Sequence, residues 1–360
     1  SAASDVYKRQ MKTIYKGDFM LIKNLKSIFS LVLCVILMLT ISLFPTKKVQ
    51  AATSFANGAD VGWLSEMEYY KWNFYNDNGV KQDCLQILKD HGINSIRFRV
   101  WVNPSSGFCN KDDVVKQAVR AKNMGFRIMI DFHYSNTWCD PGQQAKPAAW
   151  ANYDFNGLMD AVYNYTYDVM STLKSNGVYP EWVQVGNETN NGMLWEEGRA
   201  STNMKNFAWL INCGYDAVKK VNSSSKVIVH LPGGDNNEVY RWLFDGLQAN
   251  GAKYDVIGMS LYPTTTNWVS LNKLCLDNMN DMVKRYGKEV MLCEVGMDVT
   301  QPLICKEFLT DIIKKTKSVT GGKGIGVFYW EPECYGDWNE YYKGAFDSTG
   351  KPTVALDAFL

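Results

Sequence analysis

Residues 181–195 read EWVQVGNETNNGMLW. Trp182 to Gly186 is a short apolar run of strand type that delivers Asn187 and Glu188, then breaks into a turn of Thr, Asn and Gly. The same grammar returns at residues 288–298, KEVMLCEVGMD, where the apolar run Val290 to Cys293 ends on Glu294 and Gly296 opens the turn. Each stretch puts one glutamate at the carboxyl end of a strand. In a barrel of parallel strands those ends lie on one face, where the following loops build the active site. A single strand-end glutamate reads equally well as a cap on the next helix or loop; two in matched settings favour a shared site.

Outward from these two strands the chain alternates. A first strand, Phe55 to Val61, ends at Asp60. Helical spacing over Val80 to His91 is stopped by Gly92 and followed by a strand from Ile93 to Val102. In that strand Arg97 and Arg99 alternate with Ile96, Phe98 and Val100. An arginine buried on a strand needs a carboxylate partner, so one of the two should meet an anion on the barrel face, with a rim salt bridge as the other reading. Helices are predicted over Asp112 to Asn123, Leu158 to Lys174, Asn206 to Val221, Val239 to Ala249, Leu271 to Tyr286, Lys306 to Lys317 and Pro352 to Leu360. Between them run strands Phe126 to Phe132, Lys226 to Leu231, Val256 to Leu261 and Gly324 to Trp330. Eight strands alternating with helices specify an α/β fold, a single (β/α)8 TIM barrel. Polar residues gather at the strand ends: Asp60, Arg97, Asp131, His133, Asn187, Glu188, His230, Tyr262, Glu294, Trp330 and Glu331.

The 360 residues suit one barrel domain of ordinary core size, and a formal charge of +1 argues against a nucleic-acid surface. Aromatic residues make up 13%, with 12 Trp and 20 Tyr, a supply suited to stacking on sugar faces as well as to filling a core. Trp63, Trp101, Trp138, Trp195 and Trp338 fall in predicted loops on the strand-end side. Ser1 to Gln10 precede the first methionine, Met11, and read as vector-derived or upstream sequence; Met20 is a second start. Lys23 and Lys26, the apolar run Ile28 to Leu43 and the small-residue site Val49-Gln50-Ala51 read as a secretory signal peptide, a single membrane anchor being the alternative. The expected organisation is residues 1–51 as upstream sequence and leader, and residues 52–360 as a secreted, extracellular catalytic barrel, monomeric, without stable membrane association after cleavage. Cys34 lies in the leader. The other eight cysteines carry no metal spacing, and few or no disulfides are expected.

Two carboxylates bracketing a sugar are the working parts of a glycosidase, one as acid and base, the other as nucleophile when the configuration is retained. Glu188, among neutral Asn187, Thr189 and Asn190, suits the protonated acid; Glu294, with an arginine and Tyr262 in reach, should stay ionised. The ordered motifs GADVGWLSEME, SIRFRVWVNP, IDFHYSNTWCDPG, VQVGNETNNGMLW, VIVHL, MSLYP, MLCEVG and GVFYWEP resemble glycoside hydrolase family 53, the arabinogalactan endo-β-1,4-galactanases, over essentially all of residues 55 to 360. The resemblance implies a retaining barrel enzyme that cuts β-1,4-galactan side chains of pectin. It makes Glu188 the acid/base and Glu294 the nucleophile, gives Asn187 the sugar 2-hydroxyl, and uses Arg97 and Tyr262 to position the nucleophile. Asp60, Asp131, His133, His230 and Trp330 would line the sugar sites. Asn136, Thr189 and Cys139 depart from the family pattern without touching a catalytic carboxylate. Some members carry a calcium loop after the seventh strand; MDVTQPLICKE lacks its alternating Asp, His and Asn, so no metal or cofactor is expected. A barrel glycanase acting on mannan, xylan or glucan, or a non-catalytic sugar-binding protein, are the competing readings.

Overall fold

Parallel strands require long crossovers, and the amphipathic segments between the strands of this chain supply them. A computed structural model describes residues 55–360. The expected leader, with Cys34 and the cleavage site predicted after Ala51, lies outside the described residues. Strands β1 (Ala56–Asp60), β2 (Ser95–Val100), β3 (Arg127–Phe132), β4 (Trp182–Val185), β5 (Lys226–Leu231), β6 (Val256–Leu261), β7 (Glu289–Val295) and β8 (Gly324–Trp330) form a closed parallel barrel in chain order. Closure is made by β1 on β8, with Ala56 opposite Gly326 and Asp60 opposite Trp330. Helices α1 (Leu64–Tyr69), α2 (Cys84–Asp90), α3 (Lys111–Asn123), α4 (Phe155–Ser175), α5 (Ala200–Val221), α6 (Asn237–Ala249), α7 (Trp268–Tyr286) and α8 (Pro302–Lys317) surround it.

The (β/α)8 expectation holds, and the departures are local. The helix predicted from Val80 begins at Cys84, because the Asp83 side chain accepts a hydrogen bond from Gln86 N and caps the helix there. Residues before it fold into a turn in which Asn76 Oδ1 accepts from Val80 N at 3.0 Å. Helix α8 starts four residues before the predicted Lys306, since Pro302 occupies the first helical position, where its missing N–H costs nothing. Helix α1 has a single turn of apolar spacing, Leu64 and Met67, too short to announce itself in the sequence. The C-terminal segment predicted as a helix from Pro352 to Leu360 is a 3-10 run, Val354–Phe359, capped by Thr353.

Alternation along the strands sorts the core into two. Ile96, Phe98 and Val100 face outward under the helices, while Ala56, Met129, Trp182, Ile228, Val256, Met291, Cys293 and Phe328 fill the lower lumen. Gly58 makes room for that plug: a Cβ there would stand 2.1 Å from Phe328 Cδ1. The eight cysteines of the described residues are free thiols, buried except for the half-buried Cys213. Above the apolar plug the inward positions turn polar. There the site begins.

Candidate active site

Arg97 is the centre of the polar layer. Its side chain is 1% exposed and reaches five acceptors: Asp60 Oδ2 at 2.5 Å, Asp131 Oδ2 and Glu294 Oε1 at 2.9 Å, Gln184 Oε1 at 2.8 Å and Asn187 Oδ1 at 3.0 Å. One guanidinium thus ties together β1, β2, β3, β4 and β7, which is what a planar fork of donors does and an ammonium cannot. Gln184 spans onward, donating to Asp131 Oδ1 at 2.8 Å. Burial raises Asp131, but Arg97 and His133 more than offset it and hold the carboxyl below its ordinary range.

Above this layer lies a cleft of about 420 Å³ lined by His133, Trp138, Cys139, Asp140, Asn187, Glu188, Tyr262, Glu294, Trp330, Tyr341 and Lys343. Glu294 receives Arg97 on Oε1 and the Tyr262 hydroxyl on Oε2, at 2.9 Å. Glu188 receives the Ser260 hydroxyl on Oε1 at 2.7 Å. Glu188 also holds φ at +46°, a left-handed backbone that a residue other than glycine adopts only when its surroundings enforce it. The turn after β4 therefore fixes where this carboxyl points.

The sequence model of the family described as "Glycosyl hydrolase family 53" matches residues 56–304. An arabinogalactan endo-β-1,4-galactanase of Humicola insolens is 35% identical over 295 residues, covering 76% of this chain and 88% of its relative. Among solved structures, a fungal β-1,4-galactanase superposes with a TM-score of 0.79 at 29% identity, covering 84% of this chain and 98% of that one. A family 53 catalytic domain from Ignisphaera aggregans superposes at 0.77 with 30% identity, covering 85% and 95%. The chain belongs to glycosyl hydrolase family 53.

The electrostatics of this family 53 hydrolase bear on which of the two carboxyls holds the charge. Arg97 and Tyr262 were expected to keep Glu294 ionised, yet burial pushes it up to about 8 against the pull of Arg97, and the facing Glu188 adds to the rise. Burial raises Glu188 as well, with Ser260 and Arg97 opposing. Two such facing carboxyls titrate as a pair. Both strong donors, Arg97 and Tyr262, serve Glu294, so the charge of the pair settles there and the proton on Glu188.

The expected sugar-lining set divides in two. His133, Asn187, Tyr262 and Trp330 line the cleft, with Glu188 and Glu294. Asp60, Asp131 and His230 are wholly buried beneath it and hold the residues that line it. His133 Nδ1 accepts from Trp101 Nε1 at 3.2 Å and from Cys139 N at 3.1 Å, which leaves Nε2–H to donate to Asp131 at 2.9 Å. Of the five loop tryptophans only Trp138 lines the cleft. Gln184 and Ser260 were not singled out from the sequence. The available signal was a lone polar residue at an inward position of an otherwise apolar strand.

Arg99 is the second buried cation. Its guanidinium carbon lies 4.4, 5.0 and 5.3 Å from the ring centroids of Trp138, Trp63 and Trp101, and its Nη1 is paired with Glu331. Trp63 in turn stands edge-on to Trp138 and Trp330 at 5.4 and 5.3 Å. Burial and Glu331 push Glu333 well above the carboxylate range. Arg99 therefore braces the aromatic wall of the cleft from behind. Arg99→Lys keeps the charge and loses the flat stacking face. Its KM for polysaccharide should rise about tenfold with kcat within about threefold of wild type, read from initial rates.

Proposed function

We propose that the chain is an endo-β-1,4-galactanase that hydrolyses the galactan side chains of pectin with retention of configuration. The observation that carries this is one cleft holding two carboxyls, Glu294 buried and Glu188 half-buried, with unequal donors, Arg97 and Tyr262 on Glu294, Ser260 on Glu188. Glu294, the anion, attacks the anomeric carbon, while Glu188 passes its proton to the leaving glycosidic oxygen. Glu188, now ionised, takes a proton from water, and that water releases the sugar from Glu294. Asn187, with Oδ1 held by Arg97 and its amide donating to Cys139 O at 2.8 Å, is fixed beside the sugar 2-hydroxyl. Trp330 and Trp138 supply apolar faces for the rings. The function fits a secreted protein: a leader over residues 1–51 and one catalytic unit over residues 52–360, working as a monomer. No helix of the described residues is long and apolar enough to cross a membrane.

Unbranched β-1,4-galactan is the deciding substrate. Reducing ends should appear on it far faster than on mannan, xylan or glucan, as oligosaccharides from internal cuts, with the β anomer formed first by proton NMR. Preference for another polysaccharide would overturn the substrate, and an α anomer formed first would overturn the mechanism.

A further inference from the structure

Ser260 lies on β6, one residue before the strand end, opposite Glu294 in the register with β7. It is buried, and its hydroxyl touches two groups of the site: Glu188 Oε1 at 2.7 Å and His230 Nε2 at 2.8 Å. Which way the hydrogens run is decided on the far side of the imidazole. His230 Nδ1 faces two donors, Gln184 Nε2 at 3.0 Å and the backbone N–H of Glu188 at 3.4 Å. One amide hydrogen of Gln184 is taken by Asp131, and the other faces His230 Nδ1, the nearer acceptor, and Asn187 Oδ1 at 3.4 Å. Asn187 Oδ1, 3.0 Å from the same ring nitrogen, is occupied by Arg97. Two donors against one engaged acceptor leave Nδ1 without a proton. The hydrogen therefore sits on Nε2 and points at Ser260 Oγ, whose own hydrogen is turned toward Glu188.

We propose that Ser260, oriented by His230, is a positioning residue for the acid/base: by donating permanently to Glu188 Oε1 it confines the transferable proton to Oε2 and strengthens its bond as Glu188 becomes an anion. This rests on Glu188 being the acid/base. No proton leaves Ser260 or His230 in the step. Glu188 Oε2–H breaks as the new O–H of the leaving group forms, and the charge left on the carboxylate is met by a hydrogen bond already in place, which costs no reorganisation. The burial that lowers His230 well below the ordinary histidine range keeps the imidazole neutral, so it does not add a charge beside the acid.

The test uses Ser260→Ala, with Ser260→Thr and Ser260→Val as a matched pair that differ in the hydroxyl and not in shape. Substrates are β-1,4-galactan, whose leaving group needs a proton, and a 2,4-dinitrophenyl β-1,4-galactobioside, whose leaving group does not. For Ala and Val we expect kcat/KM on galactan to fall about tenfold, the value of one lost charge-assisted hydrogen bond, with the dinitrophenyl substrate within about twofold of wild type. Thr should restore the galactan rate. The basic limb of the galactan pH profile should move to higher pH in Ala and Val, because the lost bond favoured the ionised form of Glu188. Arg97, Asp131, Asp140, His230, Tyr262 and Glu294, the other charged and titratable groups around Glu188, are the same in all variants. Equal losses on both substrates, an unmoved basic limb, or Val matching Thr would each overturn the proposal. If Glu188→Gln itself keeps wild-type kcat on galactan, the assignment of the acid/base fails; if that variant is inactive on galactan while Ser260→Val is unimpaired, the role of Ser260 alone fails.

Discussion

Glu294→Gln is expected to lower kcat on β-1,4-galactan by about 10⁴-fold or more, roughly 5.5 kcal/mol of transition-state stabilisation, while the Kd for a galactan oligosaccharide stays within about threefold. The amide keeps the shape of the side chain and still accepts the Tyr262 hydroxyl, but it supplies no anionic oxygen to attack the anomeric carbon. Folding should survive, because Arg97 retains Asp60 and Asp131 as ionic partners. Initial rates and calorimetric titration of the inactive variant with galactotetraose check both halves. A variant that turns over at the wild-type rate would remove Glu294 from the reaction. One that is inactive and also binds no oligosaccharide would show that the substitution had disturbed the cleft rather than the chemistry.

How the barrel could be read from the chain, and where the reading stopped, follows from the scale of the signals. Strands β5, β6 and β8 were legible to the residue because each is an apolar run bounded by turns, and the stretches carrying Glu188 and Glu294 because two strand-end carboxylates in matched settings favour a shared site over two separate caps. Helix starts were less legible, since caps such as Asp83 and Pro302 override apolar spacing within one turn. Arg97 could be predicted to need an anion; that it would serve Asp60, Asp131 and Glu294 at once depends on the closure of β1 on β8 and on strand register, which are long-range facts. The raised titration of Glu294 was out of reach for the same reason. Its neighbours in sequence are uninformative, while burial and Glu188, a strand-end residue from across the lumen, decide it. Ser260 and Gln184 belong to the class that sequence hides best, small or neutral polar residues whose role lies in a single hydrogen bond to a distant strand.

The polar layer makes Arg97 the substitution with the widest effect. Arg97→Met removes the cation shared by Asp60, Asp131 and Glu294 and leaves these buried carboxylates weaker partners, Arg99 3.8 Å from Asp60, His133 on Asp131 and the Tyr262 hydroxyl on Glu294, a loss of about 3–5 kcal/mol by precedent for such pairs. Asp131, which Arg97 and His133 hold below its ordinary range in the folded protein, contributes stability that is present above the unfolded value of about 3.9 and lost as pH falls through the folded one. Without the guanidinium the balance shifts: His133 still pulls Asp131 down, but burial weighs more heavily on the carboxyls, they hold their protons more tightly than in the wild type, and less of this stability remains as pH rises. The gap between wild type and Arg97→Met should therefore be small near pH 4 and widen toward pH 7.5, measured by urea unfolding at both. Arg97→Lys should recover part of the stability, since one ammonium can meet one or two of the carboxylates. It should not recover activity, because Asn187, Gln184 and Glu294 were aligned by one planar fork; kcat/KM on galactan should remain about 10³-fold below wild type. A lysine variant with near wild-type kcat/KM would mean that charge alone, and not the geometry of the guanidinium, organises the cleft.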